Sequence, residues 1–388
     1  DEWTHLPTSD PASIEIVSLD HDESTDETDE ELFEEKDSLN AMYPFVNMLR
    51  GSARYIADHQ GETCVFHLPG EMLESEGFNK LMDDIALAWL LGLKIVIVAG
   101  CRTDVECSVG GGPGCQHSLR VTDDKLLRFI EEEAGYVRFE VERQLNRSLR
   151  IHGGMSKVDV HSPLPSGNVV GGNFYTAKPF GVVRGKDYQN TGYPSHVNTE
   201  KIQDILERDD IVLLTTVGCS RLGSCVNVNG NHLAASVASA LDAHKLVYFA
   251  NQGTVLRKRD DDQNTIQDIP VSVVKAFLDY HKVHVHRAGF ASFKEASKEL
   301  DSSAVEMLLH LGWASWALEQ GVKRAHIVNP GDGSLLEELY TAKHGTNTCL
   351  FRDDEKDEFD DDVDDFDILS SIPDGQDEIL FSELPNGN

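Results

Sequence analysis

Positive charge is scarce in this sequence: 34 Lys and Arg stand against 67 Asp and Glu, for a formal net charge of -33. No basic patch interleaved with aromatics occurs, so the electrostatic footprint of a nucleic-acid-binding protein is missing. Long hydrophobic runs are missing too. None reaches the roughly 18 residues that a membrane span needs, and no membrane partner is expected. Seven cysteines in 388 residues are too few and odd in number, which excludes a disulfide framework. No Cys-x-x-Cys occurs, so Cys101, Cys107 and Cys115 with His117 make a poor zinc set, and free thiols in a reducing compartment are expected. Gly110-Gly111-Gly112-Pro113-Gly114 lacks the Gly-Lys-Ser/Thr ending of a P-loop and reads as a flexible connection. The chain starts at Asp1 with no basic or apolar leader, as a removed targeting peptide or a trimmed chain would.

The acidic excess is local. Residues 1–38 and 353–388 each carry 15 acids and one Lys, leaving only -5 for residues 39–352. Neither flank has the apolar content to offset its ordering entropy. The expected organisation is an acidic disordered segment over 1–38, a folded body over 39–352, and an acidic tail or interdomain linker over 353–388.

The body is organised around Glu62–Arg102. An apolar run, Thr63–His67, turns at Leu68-Pro69-Gly70. Helical spacing follows through Phe78, Leu81, Met82, Ile85 and Ala88, and the β-branched run Leu93–Val98 stops at Ala99-Gly100. This reads as a β-turn-α-β unit, and ligands of open parallel sheets bind at the strand ends, here Leu68–Glu71 and Gly100–Arg102. Residues 39–60 carry an amphipathic pattern with Phe45, Leu49, Ala53 and Ile56 on one stripe. Thr122 caps a long helix to about Leu149 with Leu126, Phe129, Ile130, Ala134, Val137 and Val141 inward. Residues 151–195 suggest hairpins. Further strands are expected at Ile211–Val217, Lys245–Ala250 and Arg324–Val328, with helices near 199–207, 233–241, 270–280, 303–320 and from Ser334. Residues 257–268 read as a polar surface excursion. Alternating strands and helices mean a doubly wound α/β domain.

The motif order resembles the amino-acid kinase family, and within it the kinase-like domain of N-acetylglutamate synthases, over about residues 43–350. The matching stretches are Phe45-Val46 through Arg54–Gly61, Leu119–Asp123, Gly172-Asn173-Phe174, Ala177–Val182, Asp187-Tyr188, Asp332–Tyr340 and Gly345–Thr348. The resemblance implies a three-layer αβα sandwich with an open, mainly parallel sheet. It also implies an arginine-sensing domain without kinase activity, since the kinase positions hold His67-Leu68-Pro69-Gly70 in place of Lys-x-Gly-Gly and Asn231 in place of a carboxylate. A mostly neutral imidazole is no substitute for a permanent cation in phosphoryl transfer. The implied L-arginine contacts are Tyr55, Lys245, Glu338, Gly345 and Thr348; the vestigial kinase site is His67, Gly70, Gly100, Arg120, Asn227 and Asn231. One departure is Asn347 where the family has Gly. The resemblance further implies a homo-oligomer through the N-terminal helix. It implies a plastid-stroma or cytoplasmic location, and no cofactor in this chain. Acetyl-CoA would serve the full enzyme, whose acetyltransferase domain the chain has no room for. Two other readings stay open: an active acetylglutamate kinase, and a non-enzymatic scaffold using the acidic flanks.

Overall fold

The computed structural model describes residues 45–101, 121–152, 167–183, 185–250, 254–258, 261–281, 283–286, 290–293, 302–341, 347–354 and 379–383. The chain divides into two compact units, Asp1–Gly51 and Ser52–Asn388, later than the composition break after Ser38. Helix α1 (residues 45–59) crosses that division. In the smaller unit, Phe45, Met48 and Leu49 are exposed, so the first half of the expected apolar stripe is uncovered. In the larger unit, Tyr55 and Ile56 pack against the core.

The larger unit continues with β1 (Thr63–Leu68), α2 (Phe78–Leu90), β2 (Lys94–Ala99) and the long α3 (Asp124–His152). Next come β3 (Val169–Gly171), β4 (Tyr175–Pro179), β5 (Val182–Val183), β6 (Lys186–Asp187), β7 (Thr191–Val197) and α4 (Thr199–Leu206). Then follow β8 (Ile211–Thr215), β9 (Val217–Cys219), β10 (Cys225–Val228), α5 (Gly230–Ala240) and β11 (Lys245–Phe249). A peripheral set holds β12 (Thr254–Lys258), β13 (Asp261–Thr265), β14 (Asp268–Pro270), α6 (Val271–Tyr280), β15 (Val283–His286) and β16 (Phe290–Phe293). The last elements are α7 (Ser302–Glu319), β17 (Arg324–Val328), α8 (Ser334–Tyr340), β18 (Thr348–Phe351) and β19 (Ile379–Glu383).

The central sheet is 8-stranded in the order β14-β18-β17-β11-β1-β2-β8-β3. It is parallel except where β18 runs against β17. Its inner strands are β-branched and apolar because helices cover both faces. The period of two sorts the side chains. Cys64, Phe66, Leu68, Ile95, Ile97, Val247 and Phe249 pack against α2, α3 and α8. Val65, Val96, Val98, Leu246 and Tyr248 pack against α4, α5, α6 and α7. The architecture is therefore the expected three-layer sandwich. Beyond the end of β8, a small closed barrel of β10, β7, β4 and β9 is built from the hairpin region.

Several local expectations shift. The predicted strand 211–217 breaks at Thr216, which is buried, so Val217 opens β9 of the barrel instead of prolonging β8. Asp123, not Thr122, caps α3: its Oδ1 accepts the Leu126 N–H at 2.7 Å. Thr122 is fully buried against Thr191. Phe129 is exposed, because the inward stripe runs through Ile130, Ala134, Val137, Val141, Leu145 and Leu149. Within the expected excursion, residues 257–258 end β12, Asp261–Thr265 form β13 paired with it, and Asp268 opens β14; β19, inside the acidic C-terminal segment, pairs with β12. Averaged charge over that segment hides the Ile379-Leu380-Phe381 run that forms the strand.

Candidate functional site

Strand β11 contributes to two buried polar clusters on opposite faces of the sheet. Lys245, its first residue, points into the α8 layer; Tyr248 points into the α5–α7 layer. Two residues of strand lie between them, a distance of about 10 Å along the chain.

On the first face, Lys245 Nζ lies 3.0 Å from His326 Nε2, and His326 Nδ1 lies 2.5 Å from Glu338 Oε1. All three side chains are at most 5% exposed. One assignment satisfies both contacts: the ammonium donates to Nε2, and Nδ1–H of a neutral imidazole donates to the carboxylate. His326 thus bridges a cation and an anion that are both out of water. Burial pushes Lys245 below its ordinary value, while Cys349, Cys64 and Glu338 hold it up. A buried pair of this kind holds only with such compensation. His59 of α1 and Tyr340 of α8 close the cluster, their rings 5.6 Å apart edge to face. His59 is pushed down to about 4, by burial first and then by Lys245. Its Nε2 and the Tyr340 hydroxyl are buried and have no hydrogen-bond partner among the described residues. Two polar atoms without a partner among the described residues thus lie beside a buried lysine and carboxylate.

Of the residues the resemblance assigns to arginine, Lys245 and Glu338 meet here through His326. Tyr55 is half-buried on the same layer, its carbonyl 2.6 Å from His59 Nδ1. The Thr348 hydroxyl donates to Ile266 O at 2.8 Å. Gly345 lies outside the described residues. Asn347 is 1% exposed; its side chain accepts from the Asn329 N–H and donates to Ser334 O, tying the end of β17 to the start of α8. His326, His59 and Tyr340 were not foreseen. The legible signal was His326, one imidazole inside an apolar strand.

On the second face, at the C-terminal ends of β1 and β11, His67 packs edge-on to Tyr248 at 5.5 Å and to His310 of α7 at 6.0 Å. His310 stacks on Tyr248 at 4.9 Å. Neither imidazole has a hydrogen-bond partner among the described residues, and neither does Asn231 Oδ1. Burial pushes His67 down to about 3 and His310 well below its ordinary value, so both are neutral near pH 7. Glu306, 3.9 Å from His310, is pushed up to about 7 by burial and by Glu71. Gly230 opens α5 directly against His67: a Cβ there would come within 2.7 Å of His67 Nε2. Gly70 and Gly100 flank the site, and the Gly100 N–H donates to Leu68 O at 2.8 Å. Asn231 is buried and its carbonyl accepts from Tyr248 at 2.7 Å. Asn227 is engaged elsewhere, with Nδ2 donating to Thr122 Oγ1 at 3.2 Å. Arg120 lies outside the described residues. Among the described residues no group of His, Cys, Asp and Glu is arranged to hold a metal.

Residues 62–329 match the amino acid kinase family. The chain belongs to that family. Within it, the chain is 32% identical over 316 residues to an amino-acid acetyltransferase of Pseudomonas aeruginosa, covering 80% of this chain and 65% of that protein. An amino-acid acetyltransferase of Escherichia fergusonii is 30% identical, with 76% of this chain and 62% of the relative covered. The N-acetylglutamate synthase of Neisseria gonorrhoeae, solved with coenzyme A and L-arginine, superposes with a TM-score of 0.63 at 29% identity, over 79% of this chain and 65% of that one. The same synthase was also solved with coenzyme A and N-acetyl-glutamate. The chain spans just under two thirds of the length of these relatives. The second cluster thus brings together two neutral imidazoles, the Asn231 amide, the Tyr248 phenol and Glu306.

Proposed function

We propose that this chain is the arginine-sensing regulatory domain of an N-acetylglutamate synthase in a plastid stroma or cytoplasm, and that it does not itself transfer phosphate. The whole protein would join glutamate and acetyl-CoA. The observation that carries the reading is the buried Lys245–His326–Glu338 bridge beside the unpartnered His59 Nε2 and Tyr340 hydroxyl. A guanidinium replacing His326 against Glu338 gains a charge-assisted fork, and the ligand's carboxylate gains the Lys245 ammonium. The lack of kinase activity rests on neutral His67 and His310 where phosphoryl transfer needs fixed cations.

L-arginine titrated into the protein is expected to give saturable heat, with L-lysine giving far less because a point ammonium does not match the fork. ATP with N-acetylglutamate is expected to give no phosphorylated product. Absence of arginine heat defeats the sensing reading; product formation selects an acetylglutamate kinase instead.

The exposed Phe45, Met48 and Leu49 support assembly of copies through this helix. Sedimentation is expected to show a species larger than the 43.0 kDa chain, and Met48→Glu with Leu49→Glu to return it to that mass. A wild-type monomer overturns the assembly.

A further inference from the structure

Strands β9 and β10 form an antiparallel hairpin that carries two free cysteines in register, Cys219 opposite Cys225. The Ser220 N–H donates to Ser224 O at 2.8 Å, and the Val228 N–H donates to Thr216 O at 2.9 Å. Hydrogen-bonded pairs alternate along an antiparallel ladder, so Cys219 and Cys225 occupy a non-hydrogen-bonded pair. There the Cα atoms stand about 4.5 Å apart and side chains lie closest. That spacing falls in the range of roughly 4.4–6.8 Å over which a disulfide closes without backbone movement. Cys219 and Glu131 of α3 both lie close enough to Cys225 to perturb its thiol. Both are half-buried near the hairpin tip, where Leu222 is 95% exposed, so a small reagent reaches them from solvent.

We infer that Cys219 and Cys225 are a redox modification site, closing to a reversible cross-strand disulfide by exchange with a small-molecule disulfide. The Cys219 thiolate attacks one sulfur of the reagent RS–SR. That S–S bond breaks, a mixed disulfide forms, and RS⁻ leaves as RSH after taking a proton from solvent. The Cys225 sulfur then displaces the second RS⁻; its own proton passes to the Glu131 carboxylate and from there to RS⁻, which leaves as RSH. The protein dithiol loses two hydrogens and the reagent gains them. Cys225 is the resolving partner because the neighbouring Glu131 and its burial push its thiol up to about 11, leaving little thiolate to attack first. The consequence for the rest of the molecule is direct. The hairpin carries Asn227 and leads through Asn229 into Gly230, which lies against His67, so the cross-link braces one wall of the second cluster.

The test is equilibration of the whole chain with graded ratios of oxidised to reduced glutathione. Free thiols are then alkylated and tryptic peptides weighed. Arg221 lies between the two cysteines, so the cross-link appears as a two-chain peptide. That peptide is expected to rise with the oxidised fraction and to vanish on adding dithiothreitol. Cys225→Ser is expected to hold a stable glutathione adduct on Cys219, and Cys219→Ser to form no cross-link. Circular dichroism of both variants confirms that they fold. Alkylation of both residues as free thiols at every ratio, or no adduct on Cys219 in the folded Cys225→Ser protein, overturns the inference.

Discussion

Lowering the pH from 8 to 5 is expected to remove at least about 1.5 kcal/mol of folding stability through four buried groups alone. His67 and His232 are pushed down to about 3 by burial, and His310 lies well below its ordinary value. The folded protein therefore keeps them neutral while the unfolded chain protonates near 6.5. A base with a depressed folded pKa contributes stability that is complete above the unfolded value and falls as the pH drops below it. His67 and His232 each lose about 2 kcal/mol by pH 5, and His310 adds to the loss in the same direction. Glu306 acts with the opposite sign. Raised to about 7, it takes up a proton in the folded state before it does in the unfolded one and returns about 2.5 kcal/mol over the same window. The net loss is a large part of an ordinary domain's stability. Urea unfolding at pH 8, 6.5 and 5 measures it. His232, stacked on Trp313 at 4.2 Å, supplies the control. His232→Gln is expected to shed about 2 kcal/mol of the acid loss, a difference that isolates one imidazole from the repulsion among the -33 charges. Equal slopes for the two proteins would falsify the assignment.

Glu338→Gln is expected to cost about 3–5 kcal/mol of stability, because it leaves Lys245 buried with no anion beyond His326. The same change is expected to weaken L-arginine binding at least about thirtyfold, roughly 2 kcal/mol, by removing the charged half of the guanidinium fork. The two losses are separable. Lys245→Met added to Glu338→Gln removes the stranded cation, so most of the stability is expected to return while arginine heat stays absent. Chemical denaturation and calorimetry on the single and double variants check this. A single variant within about 1 kcal/mol of wild type would mean that the bridge carries no appreciable ionic pair.

Much of the sheet was legible because its strands are short β-branched runs closed by glycine or asparagine. Lys94–Ala99, Ile211–Thr215, Lys245–Phe249 and Arg324–Val328 all fall where hydrophobic runs place them. The site was legible only in part. Glu337 and Glu338 are adjacent acids of one helix, and nothing local tells which is buried; the structure exposes the first and covers the second. His310 sits in a helix that is apolar almost all round, so periodicity offers no face to read, and its approach to His67 comes from tertiary packing alone. Phe129 was misread for a related reason: the 29-residue α3 carries more apolar side chains than its one covered stripe accommodates. Asn347, the departure from the family's glycine, serves as a hydrogen-bonding staple, a role that only the meeting of β17 with α8 creates.

Strand β11 is five residues long and buried throughout, clamped between β1 and β17. Its alternation keeps an ammonium on one side of the molecule and a phenol on the other. Sliding it by a single position would swap those addresses, thrusting Lys245 among aromatic rings and stranding Glu338 without a counter-ion. Both chambers are thus keyed by the same short rod, and an insertion or deletion there would dismantle them together.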